Sequence, residues 1–151
     1  MRVNYKKLTV NIFKEICSRG KYEFEPELDA SVVYEEIKRR FKIGDKKIEK
    51  HLEKYRIEEG NKITYKNPYI FEIVLNLPYY FTDPPGIIPP ASIECKGSLQ
   101  KEYGCTLEMV SKRIEKIHKK RIPPDVLLSW IRERYSGKIR KGPEGYWYTR
   151  P

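Results

Sequence analysis

Val32-Val33-Tyr34-Glu35-Glu36-Ile37-Lys38-Arg39-Arg40-Phe41-Lys42-Ile43-Gly44-Asp45-Lys46-Lys47-Ile48-Glu49-Lys50-His51-Leu52-Glu53-Lys54-Tyr55 carries a helical apolar period twice, with one interruption. Val33, Ile37 and Phe41 fall on one face of a first helix, which Asp29 or Ser31 can cap. Lys42-Ile43-Gly44 breaks that helix, and Ile43 can plug the turn. Asp45 then caps a second helix over residues 46–55, with Ile48, Leu52 and Tyr55 inward. Lys46, Lys47, Lys50 and Lys54 are left pointing outward. Two helices joined by a short glycine-containing turn hold the second one proud of the body, at an angle that suits a major groove.

The flanks fit this pair. Residues 9–19 read as a short amphipathic helix through Ile12, Phe13 and Ile16, stopped by Gly20. Beyond Tyr55 the period changes to two. Ile57, Ile63 and Tyr65 alternate with polar residues around a turn at 58–61, and the hairpin expected over 56–75 resembles a wing. A further turn at Lys66-Asn67-Pro68 leads to an apolar run at 69–77, predicted as a strand. The expected core is Ile12, Phe13, Ile16, Ile37, Phe41, Ile43, Ile48 and Leu52. Five prolines between residues 78 and 90 predict an extended, non-helical connection over 78–97 and the main internal boundary at 77/78.

The last third repeats the spacing. A short helix at 98–103 and the turn Gly104-Cys105-Thr106 precede a helix over 107–120, capped by Thr106, with Leu107, Val110, Ile114 and Ile117 on its inner face. Shifted by 62, Ile37 falls on Leu99, Phe41 on Tyr103, Ile48 on Val110 and Leu52 on Ile114. Lys50, Glu53 and Lys54 meet Lys112, Glu115 and Lys116 as identities. Pro124 suits the first turn of a helix over 126–135, with Val126, Leu127, Trp130 and Ile131 inward. The tail predicts a hairpin around residues 142–145, with Trp147 on the opposite face from Tyr146 and Tyr148.

Residues 99–114 resemble the helix-turn-helix signature of many transcriptional regulators: an apolar residue before the turn, a glycine opening it, a capping hydroxyl, and a β-branched residue in the first turn of the recognition helix. Lys101, or Gln100 by another register, stands where that signature usually has a small residue. Residues 9–77 resemble a winged-helix domain. The resemblance implies a mainly α protein with small antiparallel β hairpins: a winged-helix domain over 1–77, the connection 78–97, and a second, basic helix-turn-helix-like unit with a hairpin tail over 98–151.

Charge points to the same partner. The chain has 31 Lys/Arg against 21 Asp/Glu, a net +10. Residues 96–151 hold 14 of the basic residues and 6 of the acidic ones. A small domain this basic usually meets an acidic surface, nucleic acid foremost. Apolar residues at 39% and aromatics at 13% suit a globular chain, and no run is apolar enough to span a bilayer. Three cysteines, odd in number, fit a reducing, cytoplasmic setting. Abundant Lys, Glu and Arg with a single Gln resemble the usage of heat-loving organisms.

The reading that results is a duplex-DNA-binding regulator of transcription or replication, with no membrane partner; a homodimer is compatible with it. RNA binding, as in a ribosome-associated module, and docking within a polymerase complex are the alternatives. The expected contacts are Lys46, Lys47, Lys50, Lys54 and Lys62 in the first half. In the second they are Lys112, Arg113, Lys116, Lys119, Lys120 and Arg121, then Lys138, Arg140, Lys141 and Trp147 in the tail. Arg113 is expected outward, its planar fork on a base edge, and Lys112 on phosphate. An enzyme is not expected. Cys95, Cys105 and His118 lack zinc spacing, His51 and His118 sit in lysine-rich helical runs, and no glycine-rich phosphate loop implies a cofactor.

Overall fold

A computed structural model describes residues 4–18, 20–40 and 45–151, with residues 40 and 45–47 described in their backbone only. Phe41 and Ile43 of the expected core lie outside the described residues. The protein is mainly helical, with one three-stranded and one two-stranded antiparallel sheet. It divides into two compact units, Met1–Glu72 and Ile73–Pro151. No helix among the described residues is long and apolar enough to cross a membrane.

The first unit opens with α1 (Tyr5–Ile16). It begins four residues before the expected start, because Asn4 caps it by accepting from the Lys7 amide at 3.1 Å. Thr9, Ile12, Phe13 and Ile16 form its buried stripe. β1 (Glu27–Asp29), α2 (Ala30–Arg40) and α3 (Asp45–Leu52) follow, and a 3-10 turn over Glu53–Tyr55 leads into β2 (Arg56–Glu59) and β3 (Lys62–Lys66). The sheet order is β1-β3-β2. Glu59 faces Lys62, which leaves Gly60-Asn61 as a two-residue loop. Gly60 takes φ +60°, which glycine adopts without a Cβ penalty.

Val33, Ile37, Ile48 and Leu52 pack with the α1 stripe, Leu28 and Tyr65 into one core. The Tyr65 hydroxyl is satisfied there by the Tyr34 hydroxyl at 2.9 Å. Asn67 closes the unit. Its Nδ2 donates to the carbonyls of Tyr22 and Glu23, and its Oδ1 accepts from the Tyr69 amide at 3.0 Å.

The predicted strand at 69–77 is instead helical: α4 (Phe71–Leu75) and α5 (Leu77–Tyr80). The buried residues are Ile70, Ile73, Val74 and Leu77, spaced three, one and three apart. That spacing closes a helical stripe, and it outweighs the β-prone composition of the run. The proline stretch is not a plain extended connection either. Pro78 stands in the first turn of α5, where a missing N–H costs nothing. Residues 91–94 form a 3-10 turn, and Phe81 and Ile93 are fully buried.

The second unit continues with α6 (Gly97–Tyr103), α7 (Leu107–His118), α8 (Pro124–Arg134), β4 (Ile139–Lys141) and β5 (Trp147–Thr149). Its core gathers Phe81, Ile93, Cys105, Val110, Ile114, Ile122, Leu127, Trp130, Ile131, Ile139 and Tyr148. Thr106 caps α7 by accepting from the Met109 amide at 3.2 Å. Gly104 is glycine for space, not for torsion. A Cβ there would fall on the carbonyl oxygen of Gln100 and 2.7 Å from that of Trp147. This close approach lets Cys105, in the turn between α6 and α7, pair with Trp147 through two backbone hydrogen bonds of 2.8 Å.

The inner face of α7 differs from the predicted one at its end. Ile117 is 55% exposed, and Ser111 takes a buried place, its hydroxyl donating to the Ile122 carbonyl at 2.5 Å. A small side chain at 111 lets the segment after α7 fold back onto the helix, so the buried stripe stops at Ile114.

Candidate nucleic-acid interface

α7 separates its basic residues into two kinds. Lys112 and Lys116 are exposed on its outer side, with Lys119 and Arg121 exposed just beyond its end. None of these four forms an ion pair among the described residues, although Glu108 and Glu115 share the helix. Lys120 is only partly exposed. Lys119 is the C-cap and adopts the left-handed conformation at φ 57°, ψ 26°, where glycine is the usual residue. A lysine held there carries backbone strain.

Arg113 is the other kind, and it corrects the expectation that it faces a groove. Its side chain is 18% exposed. Its Nη1 donates to the carbonyls of Tyr80 at 2.6 Å and Thr82 at 2.8 Å, and reaches Cys105 Sγ at 3.5 Å. Asp83 lies 3.9 Å from Nη2. The guanidinium therefore ties α7 to the end of α5, with its Nη1 donors spent on the fold. Burial pushes the Cys105 thiol above its ordinary range, and the adjacent guanidinium offsets only part of that. The thiol is thus inert packing at pH 7. His118, at the end of α7, meets the hydroxyl of Tyr80 in α5 through Nε2 at 2.6 Å.

The tail forms the expected hairpin. Trp147 is opposite Lys141 and Tyr148 opposite Arg140. Tyr148 is buried and donates to Glu94 Oε2 at 3.0 Å; Trp147 is half-buried. The two rings lie on opposite faces, as strand alternation requires. Arg140 is not a free cation: it pairs with Glu94 at 3.6 Å, and Arg150 reaches the same carboxylate at 2.8 Å. Lys138 and Lys141 stay exposed. The charge of the last third is accordingly smaller than its sequence suggests. Asp83 and Glu94, which precede it, fold back onto Arg113, Arg140 and Arg150.

In the first unit Lys50 and Lys54 are exposed, the latter with its Nζ 4.9 Å from the Tyr55 ring centroid. Lys62 pairs loosely with Asp29 at 3.9 Å. The side chains of Lys46 and Lys47 lie outside the described residues. Lys50 and Lys54 line a notch of 290 Å³ together with Lys6, Thr9 and His51. The Tyr5 ring stacks on His51 with centroids 6.0 Å apart. Sequence reasoning missed Lys6 and Tyr5 because it began α1 at residue 9; the signal that places them on this helix is the Asn4 cap.

No protein-family model, no curated protein and no solved structure matches the chain.

Proposed function

We propose that this protein binds nucleic acid, duplex DNA foremost, as a regulator of transcription or replication. The observation that carries the reading is the outer side of α7 and the segment after it. Lys112 and Lys116 on the helix and Lys119 and Arg121 just beyond it are exposed without carboxylate partners among the described residues, and Val110, Ile114 and Arg113 fix the helix from within. Uncompensated cations on a rigid helix neutralise phosphates at little ordering cost.

The first unit supports the winged-helix reading by its order. Its elements run helix, strand, helix, helix and hairpin, with the first strand beside the last; on this reading α3 would serve as the recognition helix and the β2–β3 loop as the wing. Three free cysteines fit a cytoplasmic setting.

Fluorescence anisotropy with labelled duplex DNA, single-stranded DNA and structured RNA tests the reading. Duplex DNA is expected to bind tightest. Preference for structured RNA would move the assignment to an RNA-binding module, and no binding at low salt would remove both.

Lys119→Gly separates charge from strain at this site. Relief of the left-handed lysine should raise stability by about 1 kcal/mol in a denaturant melt. The same change removes one phosphate contact, so DNA affinity should fall while the fold strengthens. A variant that gains neither stability nor loses affinity would show that the C-cap serves no site.

A further inference from the structure

The second unit holds a cleft of 390 Å³ where the end of α8 meets the β4–β5 hairpin. Ile131, Arg132, Ser136, Lys141 and Trp147 are among the residues that line it. Trp147 is poorly explained as core filler. Trp130 and Tyr148 are the buried aromatics of this part of the chain, and Trp147 stays partly exposed. Its main chain is nevertheless fixed, since both its N–H and its carbonyl are bound to Cys105 at 2.8 Å. A large ring on an immobile strand, open on one side, is a stacking platform prepared before its ligand arrives.

The charges around it are uneven in an informative way. Arg140, in the same wall, pairs with Glu94 at 3.6 Å, a carboxylate it shares with Arg150. Arg132 and Lys141 form no ion pair among the described residues. Lys141 is directly across the strand pair from Trp147, so the two side chains leave the hairpin on one face. Ile131 and Ile139, both buried, give the cleft an apolar floor. An aromatic face, an apolar floor and two unpaired cations match one ligand chemistry: a planar base joined to phosphate.

From these features, we infer that the cleft takes one unpaired nucleotide of a nucleic-acid strand, its base against Trp147 and its phosphates on Arg132 and Lys141. This rests on the nucleic-acid reading above and extends it. A base inside a duplex has both faces covered by its neighbours, so only a strand end, a single strand or an extruded base can stack here.

The test uses the full chain and its own fluorescence. The two tryptophans are Trp130, 2% exposed, and Trp147, so quenching by a ligand reports on Trp147. The probes are an eight-residue oligodeoxyadenylate and AMP, at low salt. The oligomer is expected to quench saturably, with AMP weaker because it offers one phosphate position. Arg132→Ala removes a side chain with no ion pair among the described residues and should weaken oligomer binding about tenfold. Trp147→Phe should keep oligomer binding, read by anisotropy of a labelled strand, while the quench disappears.

Absence of quenching by either probe would overturn the inference, as would quenching indifferent to both Arg132→Ala and Lys141→Ala. Quenching by AMP alone would overturn the strand as occupant. Duplex binding measured on the same samples keeps the two claims apart. Duplex binding without a quench removes the cleft alone; a quench without duplex binding retains the cleft and removes the duplex reading.

Discussion

Arg113→Ala should lower the stability of the second unit by about 3 kcal/mol, since two carbonyl oxygens would lose a charged donor and each such bond contributes about 1.5–3 kcal/mol. The affected groups are the carbonyls of Tyr80 and Thr82, which Nη1 holds at 2.6 and 2.8 Å. Arg113→Lys should recover only part of the loss, because its ammonium sits on a shorter stem and cannot place two donors where Nη1 places them. A urea melt of the three chains gives the comparison. Under conditions where the variant is still folded, its preference among DNA sequences should be unchanged, because the guanidinium is turned inward. A variant as stable as the parent but with relaxed sequence preference would return Arg113 to the groove.

Leu52→Ala should cost the first unit about 2–5 kcal/mol, the range for emptying a well-packed aliphatic site. Leu52 is 0% exposed and sits where α1, α2 and α3 meet, with Phe13, Ile37 and Ile48 in the same core. Few alternative rotamers can fill the void from a core this small, which favours the upper part of the range. Leu52→Ile would lose much less, because it keeps the volume. Thermal unfolding followed by circular dichroism distinguishes them. A loss below about 1 kcal/mol for the alanine would mean that α3 is registered differently on the unit.

The helical pairs were legible because local signals agreed. At α7, an apolar stripe, a capping threonine and a glycine turn all fell in one short stretch, and the helix begins at Leu107 as read. The hairpin at 56–66 was legible through alternation and Gly60. The run at 69–77 was not, since Tyr, Phe, Ile and Val favour a strand by type while their spacing favours a helix. Composition misled there because the decisive fact, which residues are buried, is tertiary.

Part of the candidate site was hidden for the same reason. Nothing local to Arg113 signals that carbonyls at Tyr80 and Thr82, more than thirty residues away, will claim it. Nothing near Arg140 signals Glu94. Lys112, Lys116, Lys119 and Arg121 were legible because an exposed cation needs only a face to stand on, and the apolar stripe of α7 defined that face. The expectation for Ile117 failed for a subtler reason: Ser111 competes for the buried side through a hydrogen bond that only the folded chain supplies.

The central claim is that exposed cations on and after α7 neutralise DNA phosphates, and the salt dependence of duplex binding tests it most directly. Each phosphate contact contributes about −0.9 to the slope of log affinity against log salt on B-form DNA. The parent chain should show a slope of several units. Lys112→Gln with Lys116→Gln should flatten it by roughly 1.8 and leave the melting behaviour unaltered. An unchanged slope in that double variant, or an affinity of the parent chain that does not respond to salt, would contradict the account.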